Sequence, residues 1–431
     1  MATIGFLMHS EMGHLNSSLG LAKKLKMRGH QIYYFGLIDF EEIVRNQGFH
    51  FIPIFENYYP RSTIAGLSQS QSLVNLIERA KKDYRIFKKI LEAFSNGSDP
   101  ITQLHPDLLI VDSLIKRTLL PLANKLRIPL VVLSTTLPWD RAPGIPPLRT
   151  TLMPASNYGI TGRLNIALHW KLNSLFNLFR NILNFPYRRI ASQYETSLTH
   201  KYGSPPQAPK LILCPQCFDF PRSVPAQYHY VEAGIDTNRV DVDFPWDKLD
   251  GRPILYCSLG SVSHLYKSRS LFYQAIIDTI RTTKKWQLVM TIGKGLSATD
   301  LSAPDDVVIV EYAPQLQLLA RTDLMITHGG LNSIKECILF GVPMIVFPNF
   351  AEQPGNAARV VYHGLGIIGN QHNISAKYIK SLIDTIDRDP SYRRNIKAMS
   401  DVFKKLEEAQ QSVEIIESLL VTSSTQPSLA I

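Results

Sequence analysis

The sequence predicts an α/β protein made of two doubly wound, Rossmann-like halves. Two observations carry that reading. The chain has 431 residues, too many for one core and suited to two. Short apolar, β-branched runs recur along it, among them TIGFLMH at 3–9, DLLIVDSL at 107–114, PILYCSLGS from Pro253 and PMIVFP from Pro343. Such runs read as strands buried on both faces, as in a parallel sheet whose crossovers are helices. Hydrophobic residues at 45% and charged ones at 19% describe a folded globular chain rather than a disordered one.

The first strand, 3–9, leads to a loop at Ser10 to His14 and then to a helix for which Asn16 or Ser17 is the expected cap. Leu19, Ala22 and Leu25 face inward on it, Gly29 ends it, and QIYYFG resumes a strand. This opening is half of a doubly wound sheet, and such sheets bind ligands beyond the carboxyl ends of their strands. Gly13-His14 stands there, and Asp112 ends the next buried run. A histidine so placed can take a hydroxyl proton near neutral pH. The plain alternatives are a surface histidine at a helix start, with His9 close by, and an aspartate that caps the following helix.

Residues 59–105 are polar, charged and helical in character. Residues 138–186 show no sheet pattern: PWDRAPGIPP is loop, and LNIALHWKLNSLFNLFRNILNF is apolar, aromatic and poor in charge. Leu164, Leu168, Leu172, Leu175 and Phe179 fall near helical spacing, so a helix packed on the core by that face is expected. A bilayer-surface position for this basic, aromatic helix is the other reading. NRVDVDFPWDKLDGRP is polar and proline-rich, a linker at 236–252 between a first domain at 1–235 and a second at 253–400. A helix at 401–421 and a frayed tail at 422–431 complete the chain.

The chemistry concentrates between Val310 and Ala357. After the strand LMIT the chain passes His328, turns through Gly329 and Gly330, and starts a helix near Asn332 or Ser333 that Gly341 closes. Glycines that let backbone approach, free helix N–H groups and the helix dipole make an anion site, favouring a phosphate by roughly 0.3–1 kcal/mol. Glu336 one turn in, and Glu352-Gln353 after the next strand, place hydroxyl acceptors at strand ends. Ser258 and the Gly260-Ser261 loop close another strand, and Tyr312, Ala313 and Gln315 follow a third.

These residues compose the pattern YxPQ, HxGxNSxxE, GVPM and (D/E)QxxNA, with its spacing intact over nearly fifty residues. The stretch closely resembles the donor signature of GT-B glycosyltransferases, in the UDP-glycosyltransferase family that includes macrolide, plant natural-product and carotenoid glucosyltransferases. Weaker resemblance extends to GHLNSSLGLAKKLKMRGH at the start. The resemblance implies two Rossmann-like domains facing across a cleft, with the last helix crossing back to the first. It implies an inverting, metal-independent transfer of a hexose, most simply glucose, from a UDP-sugar to a hydroxyl of a small hydrophobic acceptor. His14 is then the base and Asp112 its orienting partner. His328, Gly330, Asn332 and Ser333 hold the diphosphate with Ser258, Gly260 and Ser261. Glu336 takes the ribose, Tyr312 stacks the uracil beside Ala313 and Gln315, and Glu352 and Gln353 hold the sugar. The UDP-sugar is a co-substrate, and no further cofactor is implied. Relatives end GHxNP in proline where this chain has Ser17, a departure expected to alter loop rigidity more than chemistry. A UDP-sugar epimerase of the same fold and a non-catalytic nucleotide-sugar binder remain as other readings. Acceptor identity and oligomeric state are left open.

Other classes lose ground. A net charge of +10 suits an anionic partner, whether a nucleotide diphosphate, a membrane or a nucleic acid. No arginine-lysine block with interleaved aromatics supports the last. Of four cysteines, Cys214 and Cys217 form a lone CPQC without a second ligand pair, so packing residues are expected, not a metal site. The N-terminus has no basic leader and no run reaches eighteen apolar residues, so a cytoplasmic protein, peripheral to a membrane at most, is expected. Gly364, Gly366 and Gly369 spell GxGxxG but follow a helical stretch and open no helix, which argues against a dinucleotide site. Walker A, GxSxG and DxD patterns are not found.

Overall fold

The computed structural model describes residues 1–61, 73–157, 159–202, 207–260, 263 and 268–424. Two sheets carry it. The first has seven strands in the order β3-β2-β1-β4-β5-β6-β7. They are β1 (Thr3–Leu7), β2 (Gln31–Gly36), β3 (His50–Pro53), β4 (Leu108–Asp112), β5 (Leu130–Ser134), β6 (Lys210–Ile212) and β7 (Tyr228–Tyr230). The second, in the order β10-β9-β8-β11-β12-β13, has six. Those are β8 (Ile254–Ser258), β9 (Gln287–Thr291), β10 (Val308–Val310), β11 (Thr322–Thr327), β12 (Met344–Val346) and β13 (Gly366–Ile368). Every pairing is parallel. The runs LLIVD of β4, LVVLS of β5 and ILYCS of β8 are buried at every residue, as strands covered by helices on both faces must be.

In each sheet the strand order reverses between two neighbours, β1 and β4 in the first, β8 and β11 in the second. Crevices open at such reversals, beyond the carboxyl ends of the strands. His14 follows β1 and Asp112 ends β4; Ser258 ends β8 and His328 follows β11. Both halves of the expected site therefore stand at switch points.

The halves share one apolar core. Leu137, Ile212, Phe218 and Ala233 of the first pack with Leu331, Ile334, Ile338 and Val346 of the second. Lys335, only 1% exposed, donates from Nζ to the carbonyls of Leu213 (2.8 Å) and Ala233 (2.9 Å) across the junction. Arg359 Nε donates to Asp219 Oδ1 at 2.7 Å, also buried. A buried cation persists only with such partners.

Several expectations are corrected. The first helix runs Met12–Met27 with Glu11 at its N-cap, so Asn16 and Ser17 lie inside it. The strand ends at Leu7 and the helix already starts at Met12, so His14 lies in the helix and not in the loop, and Ser17 Oγ donates back to Gly13 O at 2.6 Å instead of capping. The helix Ser391–Ala409 keeps Ile396 and Phe403 in the second domain's packing, and the chain breaks at Gln410, with φ 50°. The returning helix thus begins at Gln411, not 401, and puts Val413 and Ile416 against the first domain. Part of the tail, 425–431, and residues 62–72 of the polar segment 59–105 lie outside the described residues.

The largest correction concerns the helix Gly159–Leu183. Its expected core face points outward: Leu164 is 68% exposed and Phe179 62%. Ile166 and Trp170 are the buried anchors, with Trp170 Nε1 donating to Ile145 O at 2.8 Å. Cys214 is buried in the shared core, while Cys217 Sγ lies exposed, 3.6 Å from Met399 Sδ. Gly364, with φ 62°, follows the helix Gln353–Tyr362, and Gly366 lies inside β13. No helix among the described residues is long and apolar enough to cross a membrane.

Candidate functional site

His14 sits in the first turn of the helix after β1, its side chain 14% exposed. Nδ1 lies 2.6 Å from Asp112 Oδ2 and 3.0 Å from Thr135 Oγ1. Asp112, fully buried at the end of β4, also accepts from Leu114 N through Oδ1 at 2.9 Å, so its orientation is fixed from two sides. With the Nδ1 proton donated to the carboxylate, Nε2 is the nitrogen left to accept a proton. Burial opposes the imidazolium, yet the hydrogen bond and charge of Asp112, helped by Glu11 and Glu352, outweigh it and raise the pKa above 6.5. His9 goes the other way, lowered by burial and by the neighbouring His14, 5.2 Å away ring to ring. His9, Glu11 and His14 bring ligand atoms within 4.8 Å of one another, the set among the described residues that could ligate a divalent ion.

Across the cleft, His328 leaves the end of β11 and is buried. A methyl group on Gly260, whose φ is 74°, would stand 2.5 Å from His328 Cε1; one on Gly330 would stand 2.5 Å from Nε2. Only glycine at both positions lets the ring lie between the β8 and β11 loops. Burial pushes the His328 pKa down to about 4, and no carboxylate counters it. The ring is therefore neutral at physiological pH. Toward a diphosphate it would act as a hydrogen-bonding group without charge. The helix Leu331–Phe340 starts next, with Gly330 at its N-cap, and directs its first N–H groups to the same crevice.

Ser333, Glu336 and Gln315 form one cluster. Gln315 Nε2 donates to Glu336 Oε2 and, at 3.4 Å, to Ser333 Oγ, while Tyr256 Oη donates to Gln315 Oε1 at 3.3 Å. Arg239, from the linker, reaches Glu336 Oε1 at 3.3 Å and Asp241 at 3.4 Å. Tyr312, just past β10, is 48% exposed, and Ala313 is partly buried against the shared core. Ser258 is buried at the end of β8, its Oγ accepting from Gly260 N at 3.3 Å. Ser261 lies outside the described residues.

Two expected donor residues are engaged elsewhere. Asn332 gives both ends of its carboxamide to the first domain: Nδ2 donates to Gly13 O at 2.7 Å and Oδ1 accepts from Ser17 Oγ at 2.9 Å. It thereby ties the turn that carries His14 to the helix of the anion site. Gln353 Oε1 accepts from the backbone N–H groups of Asn349 (2.9 Å) and Phe350 (3.3 Å), shaping the loop that presents Glu352. Glu352 itself has its pKa raised, chiefly by burial.

Sequence reasoning missed Thr135, Arg239 and Tyr256. Thr135 directly follows the β5 run beside β4, a position the strand-end rule could have reached. Arg239 had no signal beyond a lone cation in a polar linker.

Comparisons with known proteins fit this geometry. Residues 165–412 match the profile of the family described as UDP-glucoronosyl and UDP-glucosyl transferase. The chain is 24% identical to demethyllactenocin mycarosyltransferase of Streptomyces fradiae, covering 97% of this chain and 87% of that one. It is 23% identical to zeaxanthin glucosyltransferase of Pantoea ananas, over 97% and 95%. Among solved structures, the glycotransferase of kitacinnamycin superposes with a TM-score of 0.68 at 20% identity, covering 97% of this chain and 98% of that one. The calicheamicin glycosyltransferase CalG4 does so at 0.67 and 20%, with the same coverage. The fold is thus GT-B, and the profile spans more than half the chain, so this protein belongs to the UDP-glucoronosyl and UDP-glucosyl transferase family and is a glycosyltransferase.

Proposed function

We propose that the enzyme transfers glucose, with inversion at C1, from UDP-glucose to a hydroxyl of a small hydrophobic acceptor. The observation that carries this reading is the 2.6 Å contact between His14 Nδ1 and Asp112 Oδ2. In the proposed step Nε2 takes the acceptor's hydroxyl proton as its oxygen bonds to C1, and the bond from C1 to the diphosphate oxygen breaks on the opposite side. UDP leaves with the electron pair, and Asp112 stabilises the imidazolium. The N-terminus of the helix Leu331–Phe340 and the neutral His328 supply hydrogen bonds to the departing diphosphate. Glu336, held by Gln315 and Arg239, is oriented for a ribose diol, and exposed Tyr312 for the base. Glu352 faces the sugar. The carotenoid acceptor in the name of the Pantoea relative, and the apolar segment at 138–186, support a hydrophobic alcohol.

A second donor reading rests on structural neighbours bound to thymidine diphosphate. The test pairs wild type and His14→Ala with UDP-glucose or dTDP-glucose and a panel of phenolic and terpenoid alcohols, read by mass spectrometry. Glucosides from UDP-glucose in the wild type and loss of about 10³-fold or more in the variant are expected. A variant that keeps its rate removes His14 as base. Turnover with the thymidine donor alone would move the assignment to that nucleotide.

A further inference from the structure

The exposed face of the helix Gly159–Leu183 has the wrong polarity for water. Leu164, Leu168, Leu172, Leu175, Phe179 and Ile182 are all exposed. On a 3.6-residue period they share an arc of about 80°. The opposite, half-buried face carries Asn173, Asn177 and Asn181 beyond the anchors Ile166 and Trp170. The helix is amphipathic, then, with its apolar side turned away from the protein. An apolar stripe of this length on a soluble surface marks an interaction site.

Charge says with what. Between Asp140 and Glu195 the chain has no acidic residue, while Arg163, Lys171, Arg180, Arg188 and Arg189 are exposed on this helix and the next, Phe185–Tyr202. Where the two helices meet, a groove of about 900 Å³ sets Ile182 and Phe185 against Arg188 and Arg189. Apolar side chains beside unpaired-sign cations complement a surface that is greasy within and anionic at its rim.

We propose that this helix pair docks the enzyme on anionic lipid bilayers, the apolar stripe entering the headgroup boundary and the basic residues meeting lipid phosphates. The helix is also linked to the cleft: Arg149 lies over both its Phe176 (4.8 Å) and Trp139 (5.3 Å), and its charge acts on Glu352 in the donor half. A docked enzyme would therefore present its acceptor side to bilayer-dissolved alcohols. That consequence rests on the sugar-transfer reading; the docking itself does not.

The test uses the full chain and sedimentation with vesicles of phosphatidylcholine alone or mixed with phosphatidylglycerol. Wild type should bind the mixed vesicles at least tenfold better than the neutral ones, and lose most of that binding in high salt. Leu168→Asp/Phe179→Asp should lower binding tenfold or more with an unchanged melting temperature, since both side chains are exposed. Lys171→Gln, beside the stripe, should weaken it about fivefold. Equal binding to both vesicle types, or none, overturns the proposal. So does a wild-type dimer in light scattering that the Leu168→Asp/Phe179→Asp variant splits, because the stripe would then be a contact between two copies. No step needs turnover, so the result stands apart from the transfer assay.

Discussion

Two histidines, one beyond the end of a central strand in each sheet, are driven in opposite directions by their surroundings. His14 has the buried carboxylate of Asp112 at 2.6 Å, and its pKa rises. His328 has glycines on either side and no carboxylate, and burial lowers it to about 4. The residue type is the same and both side chains are largely withdrawn from water; the neighbour decides. One ring is favoured to take up a proton, the other to stay neutral. The largest test of that contrast is removal of each ring in turn. His14→Ala should lower kcat about 10³–10⁴-fold and leave UDP affinity, measured by calorimetry, within about threefold of wild type. A large loss of UDP binding would mean that the two sites are not separable.

Asp112→Asn comes next, with a fall of about 10²–10³-fold. Its sharper signature is in the pH profile. A base works unprotonated, so the rate climbs as pH rises through the His14 pKa, which lies above 6.5 while Asp112 is present. Without that carboxylate the imidazolium loses its support, and the acidic limb should move to lower pH even as the plateau drops. An unmoved limb would show that another group titrates in the rate.

The second histidine is tested by stability. A native pKa of about 4 against 6.5 means that the unfolded chain binds more protons in that window. Stability from this group is thus present above pH 6.5 and lost as pH falls toward 4, by about 3 kcal/mol in all. His14 has the opposite sign: its contribution is full below 6.5 and disappears as pH rises through its raised value. Denaturant melts at pH 7 and pH 4.5 should show the loss, and His328→Gln should flatten it. A variant with the same acid sensitivity as wild type would place the effect in other groups.

Much of this was legible in the residues because each feature has a local cause. Buried parallel strands need unbroken apolar runs, and β4, β8 and β11 have them. The turn at Gly329-Gly330 and the close at Gly341 are set by backbone geometry, so the helix between them begins within two residues of its expected start. What is not legible depends on distant partners. The place of Asn332 at a helix start suggests a phosphate ligand and says nothing of its hydrogen bonds to Gly13 and Ser17, more than three hundred positions away. Nothing near His328 in sequence reports how deeply the ring is buried, so its lowered pKa is not legible there. The stripe from Leu164 to Phe179 was assigned to a core by periodicity, which reveals that a face is apolar and not which way it points. Arg239 reaches Glu336 from the linker, a contact no spacing rule supplies.

The smallest effect concerns the link between the two histidine sites. Ser17 Oγ donates to Asn332 Oδ1, a bond that the proline of related sequences cannot make. Ser17→Ala removes the hydroxyl shared between Gly13 O and Asn332 Oδ1, and Asn332→Ala removes two hydrogen bonds, each bond worth about 1 kcal/mol. Ser17→Ala should slow turnover up to about fivefold and Asn332→Ala about tenfold, with KM for the donor changed less than kcat if the bonds hold His14 in register with the helix Leu331–Phe340. The double variant distinguishes the two ways this can come about. If the serine acts through the asparagine, losing both costs little more than losing Asn332 alone. If the two losses multiply, the serine acts independently of the asparagine, through its bond to Gly13 O within its own helix.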